Sequence, residues 1–353
     1  MKTFHQSPRI LCVIAAFLHS ASSLQLGVPI DPASFPNIPH IDTPSIPPPQ
    51  TDFLAIEAAI VAASETKSGA KASHSNAAGL DTQTPIGYDL IFGPITAATG
   101  ASGFMGSTLI SEYSVTSCAE LCNSRAPDAN GGACQFFNIW LTTVNNTQQT
   151  TCAFYFIPTD GSTATNKGTS ALKISESRGY TRVTLIQDGG FEGWNCTACC
   201  TAPFCSTRSY FAWEVLPLPG FTTLDGVTTI LRLTGAHTGF DFATLGCFDT
   251  PQNPGILQPV AQPLQTIAGQ KYLITFFHQA RSNNGDGTFS SQFKVLWNGN
   301  VVFTITGPLP DLNWRYYQVK ITAVGGDKVG FEDTFQNVSP ASAIDDVFLL
   351  IDN

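Results

Sequence analysis

The cysteines carry the most readable chemistry of this 353-residue chain: Cys12 stands alone near the start, and the other nine fall into two groups. Cys118, Cys122, Cys134 and Cys152 form the first group, and Cys196, Cys199, Cys200, Cys205 and Cys247 the second. In an oxidising compartment such groups are disulfide frameworks; in a reducing one, Cys196-x-x-Cys199 with Cys200 or Cys205 has the spacing of a zinc site. The odd number leaves one thiol free or paired with another molecule. Catalytic constellations are harder to find. Glycoside hydrolysis needs two carboxylates flanking the scissile bond, and Asp225, Asp241, Asp249, Asp286, Asp311 and Glu332 fall mainly in turn-like contexts with no spacing that selects a pair. The sequence contains no Gly-x-Ser-x-Gly elbow, no phosphate loop and no His-Glu-x-x-His metal motif. A hydrolase is therefore the least favoured reading.

The compartment follows from the first residues. Lys2 and Arg9 precede the apolar run Ile10 to Leu18, and Ala21-Ser22-Ser23 offers small residues for cleavage near Ser23. That is the pattern of a secretory signal. The run is too short to span a bilayer, and no later stretch reaches the roughly 20 apolar residues a membrane helix requires. The expectation is a protein secreted to the extracellular space or cell wall, with disulfides as the default state of its cysteines. Three acceptor sequons agree, at Asn145, Asn195 and Asn337. Asn145 is the best of them, because Asn337-Val338-Ser339 runs into Pro340 and Asn195 is followed by a cysteine. Charged residues make up 12% of the chain, about half the usual 25%. The net charge of -9 comes without any basic cluster, which argues against nucleic acid and membrane surfaces as partners.

Three regions must position these groups. From residue 24 to 84 the chain reads as a leader or linker. Prolines recur from Pro29 to Pro49, then Asp52 can cap a short helix over residues 53–61, and Ser64 to Thr84 is small and polar. This segment is either removed during maturation or docked on the next domain through its helix. Residues 85–182 read as a small disulfide-bonded domain. A helix capped by Ser117 places Cys118, Leu121 and Cys122 on one face, ahead of strand-like runs at 134–141 and 151–157 separated by a polar turn at Asn145-Asn146. The Cys118-x-x-x-Cys122 helix, Cys134-Gln-Phe-Phe-Asn and Cys152-Ala-Phe-Tyr resemble PAN/apple-type modules. That resemblance implies an α+β fold with the helix tied to the sheet beneath it, and a role in binding proteins or glycans.

Residues 183–353 change to short aromatic and β-branched runs at 271–278, 292–297, 301–305, 315–321 and 346–351, with Asn298-Gly299 as a hairpin signal. The reading is a mainly β protein ending in a β-sandwich. The order Asp188-Gly189-Gly190-Phe191-Glu192, Ala268 to Phe276, Asn313 to Tyr317 and Ala343 to Leu349 resembles the galactose-binding-like jelly rolls, above all carbohydrate-binding modules of families four and nine. The resemblance implies a structural Ca2+ near the two ends of the domain, held by Glu192 with Asp345 or Asp346. The Cys196 to Cys205 cluster departs from that pattern.

Sugar recognition uses flat rings plus amide, carboxylate or guanidinium groups. On the 271–281 strand, Tyr272, Ile274, Phe276 and His278 share a core-like face. Gln279 and Arg281 share the other and point toward a cleft, with Trp213 as the leading aromatic platform. Trp213, Trp297 and Trp314 also suit a core, as large rings do, and His278 suits an interior histidine. The chain as a whole is similar to secreted fungal cell-wall or fruiting-body proteins. The expectation is a non-catalytic protein whose partners are polysaccharides or glycoprotein glycans. The alternative is an extracellular adhesion protein binding other proteins.

Overall fold

A computed structural model of the chain describes residues 48–68, 80–194, 205–220, 228–232, 235–246, 255–280, 282–283, 289–309, 312–334 and 342–352. These fall into two compact units, one of Ile46–Thr184 with Leu350–Asn353 and one containing Leu185–Leu349.

The first unit holds helices α1 (Phe53–Ser68) and α2 (Val115–Ser124) and strands β1 (Tyr88–Ile95), β2 (Ala98–Thr99), β3 (Phe104–Ile110), β4 (Phe136–Val144), β5 (Thr147–Tyr155), β6 (Ala164–Asn166) and β7 (Leu172–Arg182). Five strands form an antiparallel sheet in the order β1-β7-β4-β5-β3, and β2 pairs with β6. The run Phe136-Phe137-Asn138-Ile139-Trp140 on β4 is buried throughout, because both faces of the sheet are covered. Phe137 and Ile139 pack in the cluster that includes Val115, Cys118 and Cys122 of α2, while Phe136 and Trp140 pack with Ile56 and Ile60 of α1.

Helix α1 is thus a docked part of this unit. The Asp52 carboxylate accepts from Ala55 N at 3.0 Å, as an N-cap should, and Ile56, Ile60 and Ser64, spaced four apart, form the buried stripe. Helix α2 begins earlier than the sequence suggested: the cap is Ser114, whose hydroxyl accepts from Ser117 N. Val115 supplies the reason, since its fully buried side chain belongs to the same apolar face as Cys118 and Cys122. Disulfides Cys118–Cys152 and Cys122–Cys134 bind α2 to the sheet region and resolve the connectivity that sequence left open. At the β4–β5 turn Asn145 and Asn146 have φ 49° and 62°, the left-handed pair a two-residue hairpin needs, and the Asn145 sequon stands exposed.

The second unit is a two-sheet β-sandwich. Its strands are β8 (Cys205–Thr207), β9 (Trp213–Leu216), β10 (Thr229–Arg232), β11 (Asp241–Leu245), β12 (Ile256–Pro259), β13 (Lys271–Ala280), β14 (Ser282–Asn283), β15 (Phe289–Trp297), β16 (Asn300–Leu309), β17 (Arg315–Thr322), β18 (Val329–Asp333) and β19 (Ser342–Ile351). One sheet runs β17-β13-β19-β11-β10-β8, the other β14-β15-β18-β12-β9 with β16 on β15. Between them Phe276 of β13 meets Phe293, Phe303 and Phe331 of the opposing sheet at ring separations of 5.2, 6.3 and 5.9 Å. The hairpin read from Asn298-Gly299 is present, with Trp297 opposite Asn300 and left-handed backbone at both turn residues.

Candidate functional site

The predicted sugar platform is not at the surface. Trp213 is fully buried, donates its indole N–H to the Asp188 carbonyl at 2.8 Å and packs between Phe191 and Phe331. It is a core residue, and its polar atom is satisfied inside the fold. The second face of β13 is covered as well. Tyr272, Ile274, Phe276 and His278 are buried as expected, and so are Leu273, Thr275 and Phe277 on the opposite face. The His237 ring lies flat on Phe277 at 3.5 Å and 14°, so the loop carrying His237 covers the face that alternation left open. Gln279 is half-buried and donates its amide to the Leu312 carbonyl, while Arg281 lies outside the described residues. Trp297 is buried, and half-buried Trp314 donates to the Gly235 carbonyl. Glu332 pairs with Lys294 at 2.9 Å.

What the structure does bring together are the acids drawn from the two ends of the domain. The segment 185–189 runs beside β19, with Leu185 N bonded to Leu349 O and Val347 N to Gly189 O. One rim of the sandwich therefore collects Asp188, Glu192, Asp345 and Asp346. Glu192 accepts from Phe240 N (2.6 Å) and Asp241 N (2.8 Å) through one oxygen. Asp345, with no exposure, accepts from His237 N, Thr238 N and Asp346 N. Asp346 accepts from the Thr238 hydroxyl and meets His237 Nδ1 at 2.6 Å. Asp188 accepts from Tyr210 OH and Gly193 N. Burial, then the charge of Asp346, hold Asp345 well above the usual carboxylate range. Burial and the Asp188 hydrogen bond push the Tyr210 phenol up.

Two aromatic side chains stand out of this rim, Phe211 at 58% and Phe240 at 70% exposure. Glycines let them sit there. A Cβ on Gly193 would come within 2.6 Å of Asp188 Oδ2 and 2.7 Å of the Phe211 ring, and a Cβ on Gly239 (φ 62°) within 2.1 Å of Glu192 Oε1. The Phe211 ring thus lies at Gly193, and the backbone N–H of Phe240 is held by Glu192. Asp188, Phe191 and Asp346 hold left-handed backbone at φ 52°, 61° and 49°, a strain of about 1–3 kcal/mol each that surrounding structure must offset. Sequence reasoning passed over both phenylalanines. The available signal was an aromatic beside turn residues, in Ser209-Tyr210-Phe211 and Thr238-Gly239-Phe240, where no strand period assigns it to a core.

The acids Glu192, Asp345 and Asp346 have the donor chemistry of the Ca2+ site that the resemblance implies. Their oxygens are turned to N–H and O–H donors, and among the described residues no three His, Cys, Asp or Glu side chains converge as a metal-holding group. Of the second cysteine group, Cys205 is placed on β8 by its backbone, and Cys196, Cys199, Cys200 and Cys247 lie outside the described residues, as do the sequons at Asn195 and Asn337.

The chain is, by this architecture, a mainly β protein: a disulfide-bonded α+β unit and a β-sandwich. No protein-family model matches it, and no curated protein does. Among solved structures, the xylan-binding CBM22-1 domain of Xyn10C from Paenibacillus barcinonensis is 15% identical over 39% of this chain and 85% of its own, with a TM-score of 0.26. TmCBM61 in complex with β-1,4-galactotriose is 13% identical over 48% and 99%, with a TM-score of 0.24. A cyclase from Fischerella sp. TAU is 16% identical over 46% and 94%, with a TM-score of 0.29.

Proposed function

We propose that this protein is a secreted, non-catalytic glycan-binding protein and that its rim is the binding site. The observation that carries the reading is the exposed pair of Phe211, whose ring lies at Gly193, and Phe240, whose backbone N–H is held by Glu192, on a rim that also holds Asp188. Rings of this kind offer an apolar face to a pyranose, and carboxylate oxygens accept from its hydroxyls. The rim is negative, so neutral polysaccharides are favoured over uronate or sulfated ones. Retention of the full chain on immobilised cellulose, β-glucan, chitin or mannan tests this. Retention on at least one neutral polymer is expected, and passage through all of them overturns the reading.

A structural Ca2+ at Glu192, Asp345 and Asp346 belongs to the same proposal, and binding it would require these carboxylates to give up the N–H and O–H donors they hold and converge on the cation. When bound, the cation would relieve the repulsion between Asp345 and Asp346 and fix the loop that carries Phe240. EDTA is expected to lower the melting temperature by about 2–4 °C for each kcal/mol of cation binding lost, with Ca2+ restoring it. A melt indifferent to chelator and to added Ca2+ contradicts the assignment.

A further inference from the structure

The opposite end of β13 presents a second surface. Lys271 opens that strand and Phe277, under the rim loop, lies six residues on, so the two ends are separated by about 20 Å. At the Lys271 end three turns are drawn onto one buried carboxylate. Asp327, with no exposure, accepts from the Thr266 hydroxyl (2.6 Å), the Asn298 amide (2.5 Å), and the backbone N–H groups of Val324 (3.1 Å) and Gly325 (3.0 Å). Asn298 in turn accepts from Lys328 N, and Gly269 N donates to Ala323 O. These turns are fixed by hydrogen bonds, yet they expose branched aliphatic side chains: Ile267 at 61%, Val301 at 53% and Val324 at 71%.

The charge at this tip is opposite to that of the chain. Asp327, buried and saturated, is the single acid in residues 260–271, 298–302 and 320–328, whereas Lys271 and Lys328 are exposed beside the aliphatic residues. We propose that this tip docks on an anionic phospholipid surface, with Ile267, Val301 and Val324 entering the headgroup boundary and Lys271 and Lys328 meeting the negative headgroups. Aliphatic points ringed by ammonium groups match an interface where hydrocarbon lies beneath a layer of negative charge. The net charge of -9 had argued against membranes because it averages over the whole chain; within a screening length of about 8–10 Å only the local charge acts.

The test is co-sedimentation of the full chain with phosphatidylcholine vesicles carrying or lacking phosphatidylserine. Binding is expected to the anionic vesicles only, to weaken as salt is raised, and to fall about tenfold or more in Ile267→Ser/Val324→Ser and in Lys271→Glu/Lys328→Glu. The aliphatic double variant should keep its melting temperature, since both side chains are already in water, and should keep polysaccharide retention, which depends on the other end of the sandwich. Failure of both vesicle types to sediment the protein, equal sedimentation by the two, or equal binding by the variants, overturns the proposal. It is also overturned if the wild type self-associates and Val324→Ser makes it monomeric, because the tip would then be a contact between copies.

Discussion

Acidification from neutral pH to about pH 4 is expected to remove roughly 3 kcal/mol of stability from the sandwich unit through one residue, His278. Its ring is fully buried beside Phe293 and Tyr317, with Nε2 at 2.9 Å from the Ser342 hydroxyl, which donates onward to Asp333. Burial, then the charge of Arg315, push its pKa down to about 3 from 6.5. The sign follows from proton counting. Between those two values the unfolded chain binds a proton that the folded chain refuses, so stability is complete above pH 6.5 and drains away as pH falls toward 3. Asp327, whose pKa is lowered by its four donors against the cost of burial, adds to the loss below its ordinary range. Asp345, whose pKa is raised, works in the other direction. Denaturant unfolding across this range should show a slope of about 1.4 kcal/mol per pH unit from the histidine. His278→Gln should flatten that slope while lowering stability at pH 7. Parallel decline of variant and wild type would contradict the assignment.

Replacing Gly189 by Ala is expected to cost about 3 kcal/mol and to weaken glycan binding with it. A Cβ there would stand 1.8 Å from the Val347 carbonyl oxygen and 2.7 Å from its carbon. Neither atom belongs to a flexible side chain, so the segment 185–189 must lift from β19. That movement breaks the 2.9 Å bond from Val347 N to Gly189 O and shifts Asp188, which seats Tyr210 and the Gly193 turn. Urea unfolding measures the cost, and hydrogen exchange at the Val347 amide reports whether the two segments have parted. A variant with wild-type stability and a protected Val347 would show that the close approach is not required.

The fold was more legible in the sequence than the site, for reasons that individual residues make plain. Asn298-Gly299 and Asn145-Asn146 announce hairpins because few other pairs tolerate left-handed backbone at two successive positions. The Cys118 and Cys122 spacing announces a helix face that must be covered. Alternation fails on β13 because it assumes one wet face, whereas here His237 closes over Phe277. Trp213 misleads for a related reason: a ring size suited to stacking on sugar is equally suited to filling a sandwich. Glu192, Asp345 and Asp346 were read as neighbours only through a family likeness, and no local pattern states that segment 185–189 lies beside β19. Phe211 and Phe240 belong to loops, where sequence carries no period and exposure depends on contacts formed by distant segments.

The proposal rests on two rings at one rim, and the most direct measurement compares them with the tip. Titration of the wild type, Phe211→Ala, Phe240→Ala and Ile267→Ser/Val324→Ser with the polysaccharide that retains the chain separates the surfaces. Loss of a stacking ring worth about 1.4 kcal/mol lowers affinity tenfold, so each rim variant should bind about tenfold or more weakly at unchanged melting temperature. The tip variant should bind as the wild type does. Rim variants that bind sugar with full affinity would place the glycan elsewhere on the protein and contradict the account.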